Sequence, residues 1–227
     1  MPAKITLRPA IPSDAPSLAA INIKSFANSP FIANAFPNIP YDVVRPLKER
    51  RYLQKMSHPL THVIVAVDEE SGEVIGCSRW VIPTAEGKSA KELLQEETEK
   101  EKGKGAGAAA EIPEGTNHEV YEGFFGILKD KADVHLGGED IVLEFLATHP
   151  ARQGQGVGKA LLAWGISQAD KLQKRIYLEG TTEGYPLYAK SGWATLEKIS
   201  IDYTRWGGEG AQELTLMMRD PLPYSSA

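Results

Sequence analysis

Glycines occupy alternate positions, 154, 156 and 158, within Pro150-Ala-Arg-Gln-Gly-Gln-Gly-Val-Gly-Lys-Ala160. An apolar run at 141–147 precedes this string and a helical pattern at 160–174 follows it. A strand that turns through glycines into a helix presents backbone N–H groups and a positive helix end, which together hold a phosphate. Glycine also lets the backbone approach such a ligand closely. Arg152 and Lys159 are placed to add cationic reach. Two familiar phosphate loops do not fit. A Walker loop needs a glycine at 153 and Ser or Thr at 160, and these are Gln153 and Ala160. A dinucleotide fingerprint needs G-x-G-x-x-G, and Gly154-x-Gly156-x-Gly158 is one residue short.

The spacing that does fit is Q/R-x-x-G-x-G/A, carried by Gln153, Gly156 and Gly158. It resembles motif A of the GNAT superfamily, the acetyl-CoA-dependent N-acetyltransferases. The resemblance continues through the strand-like 175–180 and through Gly184-Tyr-Pro-Leu-Tyr-Ala-Lys-Ser-Gly-Trp193, with Tyr188, Gly192 and Trp193 in the family's tyrosine segment. The Gly-Tyr-Pro-Leu-Tyr form is most similar to fungal members. Near the other end, residues 5–15 resemble the family's opening strand and first helix. The resemblance implies an α/β GNAT fold. Its sheet has six to seven strands, mixed but mostly antiparallel, with helices on both faces. A parallel pair, around 141–147 and 176–180, splays to leave a coenzyme A slot.

It also implies a site. Backbone amides of Gln153, Gly154, Gln155, Gly156, Val157, Gly158, Lys159 and Ala160 converge on the coenzyme pyrophosphate, and Leu146, Ala147 and Thr148 line the pantetheine. Acetyl transfer to an amine then needs a proton acceptor and stabilisation of the thiolate. Glu144 is the expected base. It is the only charged residue in 141–147, strand alternation puts it on the face of Leu146 and Thr148, and burial raises a carboxyl pKa. Tyr188 is the expected acid, matching a tyrosine that many members place near the coenzyme sulfur; Tyr185 and Glu179 are lesser candidates. The function expected is transfer from acetyl-CoA to a primary amine in a ternary complex. The alternatives are another acyl group, or a binding module that has lost turnover.

The remaining chain must position these groups. Strands are expected at 5–8, 62–68, 74–82, 195–203 and 213–219, the middle pair turning through 70–73. Helices are expected at about 13–26, capped by Ser13, at 41–56 and at 117–131, with Pro30, Pro37 and Pro40 keeping their surroundings irregular. Residues 84–117 read as an insertion in a single 1–227 domain. It is charged at 88–102 and Gly/Ala-rich at 103–110, and either solvated or part of the acceptor site or a dimer contact.

Composition bounds the rest. The 42% hydrophobic and 24% charged residues suit a soluble globular protein. No apolar run is long enough to span a membrane, and no leader is expected at the first residues. One cysteine, Cys77, allows no internal disulfide and fits a cytoplasmic setting, with the nucleus also open. A net charge of −5 argues against a nucleic-acid partner. Pro59 separates His58 from His62, so no metal pair is expected. The partner expected is a small-molecule or peptide amine, met by a monomer or homodimer. Phe31, Phe36, Tyr41 and Trp80 are read as core or acceptor-pocket aromatics.

Overall fold

The computed structural model describes residues 3–84, 92 and 112–223. Among them, one sheet carries seven strands in the order β1-β2-β3-β4-β5-β7-β6. These are β1 Ile5–Pro9, β2 Thr61–Asp68, β3 Val74–Val81, β4 Ile141–Thr148, β5 Ile176–Thr181, β6 Ala194–Asp202 and β7 Ala211–Arg219. Only β4 and β5 pair in parallel; every other neighbouring pair is antiparallel. This is the mixed α/β GNAT architecture expected from the sequence.

Six helices flank the sheet among the described residues: α1 Ala15–Ser25, α2 Pro30–Ala35, α3 Tyr41–Met56, α4 His118–His135, α5 Val157–Leu172 and α6 Tyr185–Lys190. Strand alternation sorts the core into two layers. On one face, Leu161 and Leu162 of α5 and Tyr188 of α6 pack with Trp80, Leu143 and Leu178. On the other, Leu18 and Tyr52 of α1 and α3 pack with Val63 and Cys77, while α2 and α4 cover Val142, Tyr177 and Leu216. Helix α5 lies close to β3 because Gly165 faces the fully buried Trp80 ring. A Cβ there would sit 2.2 Å from it.

Several boundaries differ from the sequence reading. Ser13 caps nothing. It lies in a 3₁₀ turn, Pro12–Asp14, whose Asp14 accepts from the Ile11 N–H and pairs with Arg8 at 2.7 Å. The stretch after Pro30 is helical, since proline suits a first helical position, where no intrahelical N–H bond is made. Helix α5 begins at Val157, three residues earlier than the apolar periodicity indicates, because Gly156 turns left-handed there. The helix near 117 is present, and the Asn117 side chain accepts from the Val120 N–H at its start. Of the insertion read at 84–117, residues 85–91 and 93–111 lie outside the described residues.

Candidate active site

The site is set by where two strands part. Pairing of β4 with β5 runs from Ile141↔Ile176 to Leu143↔Leu178 and stops. Beyond it β5 stays in strand pairing with β7, and β4 with β3. The gap opens into a cleft of about 1970 Å³, roughly twice the ~1,000 Å³ at the top of the range for one small ligand.

Glu144 and Glu179 are the first residues past the parting, one on each strand, and both line the cleft. Glu144 is also the extra residue of a β-bulge. Arg79 pairs with Phe145 and Trp80 with Leu143, leaving position 144 without a partner on β3. A bulge breaks alternation. The expectation that Glu144 shares a face with Leu146 is therefore corrected: Leu146 packs on the α5 side, whereas Glu144 turns to α3 on the other.

The two carboxylates differ in charge state. Glu144 is gripped by Lys55 Nζ at 2.9 Å and Arg79 Nε at 2.6 Å, with its side chain 7% exposed. Burial pushes its pKa up, but Arg79 and Lys55 outweigh burial and hold it below the usual range. That is opposite to the rise expected from burial alone. Glu179 has no cation paired with it among the described residues. Burial pushes its carboxyl up to about 7, against a hydrogen bond from Tyr177, and the charge of Glu144 adds to the rise. The Tyr177 hydroxyl donates to Glu179 Oε1 at 3.2 Å. Adjacent acids whose surroundings drive their pKa values apart mark acid–base chemistry. Glu179 was a minor candidate from sequence. Lys55 and Arg79 were missed, although Arg79 is the one charged residue in β3, a signal of the same kind as Glu144.

Tyr188 enters from the opposite face. Its ring packs 6.1 Å from Trp193 and against Gly180 and Gly184, where a Cβ would come within 3.2 and 3.0 Å of it. Burial alone pushes its pKa up to about 12, so it stays protonated. It lines the cleft, and its hydroxyl has no hydrogen-bond partner among the described residues. Tyr185 is turned toward Thr195, 3.5 Å away.

The glycine string forms the loop between β4 and α5. Gly154 and Gly156 have φ of +73° and +88°, which side chains disfavour. Gly156 brings no capping side chain, and the N–H groups of Val157, Gly158 and Lys159 have no carbonyl four residues back inside the helix. Gln153, Gly154, Gly156, Val157, Gly158 and Lys159 line the cleft; Gln155 and Ala160 do not. The Val157 side chain is buried in the core, leaving its backbone for the loop. Gln155 bonds back to the Ala151 carbonyl. Arg152 is tied to Asp68 at 3.0 Å, so it braces the loop against β2. Leu146, Ala147 and Thr148 line the cleft along β4, with the Thr148 carbonyl accepting from Ser25 at 2.9 Å. Cys77 is buried and pushed up to about 12 by burial, which disfavours the thiolate a covalent route would need.

Among the described residues no helix is long and apolar enough to cross a membrane, and no group of three or more His, Cys, Asp or Glu stands where it could hold a metal ion.

Known proteins share this fold. A histone acetyltransferase HPA2 and related acetyltransferase from Corynebacterium glutamicum superposes with a TM-score of 0.62 at 24% identity, covering 97% of this chain and 98% of that one. A polyamine N-acetyltransferase of Drosophila melanogaster, at 0.66 and 11%, covers 96% of this chain and all of its own. Arylalkylamine N-acetyltransferase 2 of Aedes aegypti, at 0.65 and 16%, covers 96% and 99%. At these identities the likeness is one of fold. A 62-residue stretch is 34% identical to "Probable acyltransferase SID5" of Ajellomyces capsulatus, covering 27% of this chain and 46%, under half, of that protein's length. The acetyltransferase (GNAT) domain as a sequence family matches residues 59–195. That span holds the parting strands, both carboxylates, the glycine loop and Tyr188, and with it the chain belongs to the GNAT acetyltransferase family.

Proposed function

We propose that this protein is an N-acetyltransferase that moves the acetyl group of acetyl-CoA to a primary amine in a ternary complex, using a single domain. The observation that carries the reading is the parting of β4 from β5. It puts two unlike carboxylates on one face, Tyr188 on the other and the glycine loop at the strand end. The amides of residues 153, 154 and 156–159 would hold the donor's phosphates and Leu146 to Thr148 its pantetheine, with the thioester in the cleft that the carboxylate pair lines.

The amine arrives as an ammonium and gives a proton to Glu179, whose pKa near 7 suits a base at neutral pH. Glu144 stays charged between Lys55 and Arg79 and keeps Glu179 basic. The amine nitrogen bonds to the carbonyl carbon, the carbon–sulfur bond breaks, the thiolate leaves toward Tyr188, and the surplus proton left on the amide nitrogen passes to solvent. With a pKa near 12, Tyr188 is a weaker acid than an ordinary thiol at about 8.5. It therefore stabilises the thiolate by donating a hydrogen bond, and the proton that completes the thiol comes from solvent.

Thiol release from acetyl-CoA over a panel of amines tests the reading. Tyr188→Phe should lower kcat by about 10- to 100-fold with the folded state intact by thermal melting. Coenzyme binding without thiol release for any amine would instead support a binding module. Gly156→Ala should weaken acetyl-CoA binding at least about tenfold, because a left-handed backbone costs a side chain about 1–2 kcal/mol and the amides of the helix start are displaced. Unchanged affinity by calorimetry would remove the loop from the coenzyme site.

A further inference from the structure

The wall facing Glu144 is basic. Lys48, Arg51 and Lys55 of α3 are spaced three and four residues apart, so they form one stripe. All three line the cleft, together with Arg79 from β3. Lys55 and Arg79 both pair with Glu144. Arg51 lies 5.6 Å over the Tyr121 ring. Lys48 has no hydrogen bond or carboxylate partner among the described residues. It is half-buried, and the charges acting on it are the guanidiniums of Arg51 and Arg79.

We infer that Lys48 and the stripe around it form a subsite for an anionic group on the acceptor, so that the substrate is a small amine that also carries a carboxylate or a similar acid. The inference rests on the transfer reading above and deepens it. Burial and the two guanidiniums push Lys48 down to about 7, as expected for an ammonium among like charges with no counter-ion. A docked carboxylate supplies that counter-ion and forms a charge-assisted hydrogen bond. The coenzyme phosphates are not the natural occupants. Their loop leads into α5 on one face of the sheet, whereas α3 covers the other. A second cation is the worst match to this wall, so the stripe selects against diamines.

Three amines of equal length separate the possibilities: 4-aminobutyrate, its neutral amide and 1,4-diaminobutane. Thiol release from acetyl-CoA and calorimetric binding to the coenzyme-loaded protein are measured for each. The expected order is aminobutyrate over amide over diamine, with at least about tenfold in kcat/KM between the first two. Lys48→Met should erase that preference, and Lys48→Glu should reverse it toward the diamine. Equal use of the three, failure of 4-aminobutyrate to bind, or a preference that survives Lys48→Met overturns the subsite. If no amine releases thiol, yet 4-aminobutyrate binds the wild type and not Lys48→Met, the transfer reading falls and the anion subsite stands. If all three release thiol equally, the subsite falls and the transfer reading stands.

Discussion

Glu179→Gln should abolish the acidic limb of the pH–rate profile and lower kcat/KM at neutral pH by about 10²- to 10⁴-fold. The base must be deprotonated to act. With its carboxyl at about 7, wild-type activity should rise through pH 7 and be lost below it. Glu144→Gln should behave differently. Removing a negative neighbour, and leaving Lys55 and Arg79 uncompensated, makes Glu179 easier to ionise. The limb should move to lower pH rather than vanish. An unchanged profile in Glu179→Gln, or a limb lost in Glu144→Gln instead, assigns the proton to Glu144. Stability supplies an independent readout. A carboxyl with a raised pKa in the fold binds more protons there than in the unfolded chain, so its destabilising effect grows as pH rises from about 4.5 to 7 and persists above. Glu179→Gln should therefore be the more stable protein at pH 8, by at most about 3 kcal/mol. Less is expected for the part of the side chain that still meets water. Activity and stability should move in opposite directions, which damage to the fold would not produce.

Gly165→Ala should destabilise the protein by about 1–3 kcal/mol, even though alanine normally favours a helix interior over glycine by about 1 kcal/mol. The added Cβ would lie 2.2, 2.3 and 2.5 Å from three atoms of the Trp80 ring. That ring has no exposed surface, and its Nε1 donates to Ser78 at 2.9 Å. It cannot swing aside without losing the bond, so α5 must lift from β3. Since α5 carries the glycine loop at its start, acetyl-CoA affinity should weaken in the same variant. Urea denaturation checks the first effect and calorimetry the second. Stability at or above wild type would show that the ring and helix yield without cost.

Much of this was legible in the residues. The apolar runs at 141–147 and 176–180 mark β4 and β5, and the alternate glycines mark the turn between β4 and α5, because each obeys a local rule. The base was not legible. Glu144 and Glu179 are both carboxylates in apolar strands, and their difference comes from Lys55 and Arg79, brought in from 89 and 65 residues away. Sequence periodicity carries no information about such partners. It also failed at 144–146, since alternation assumes a regular pleat and cannot see an inserted residue.

That inserted residue has a consequence for how the site tolerates change. Between Leu143 and Leu146, which pack on the same side, two residues intervene where a flat strand would have one. The parity of β4 is thus part of the active site. Gain of a single residue there keeps every chemical group yet exchanges inside for outside along the coenzyme edge. Substitution at 144 alters one charge, whereas a change in length rewires which layer of the protein each later residue addresses. In comparing relatives, the residue count between these two leucine positions should therefore be matched before the identity of the acid is weighed.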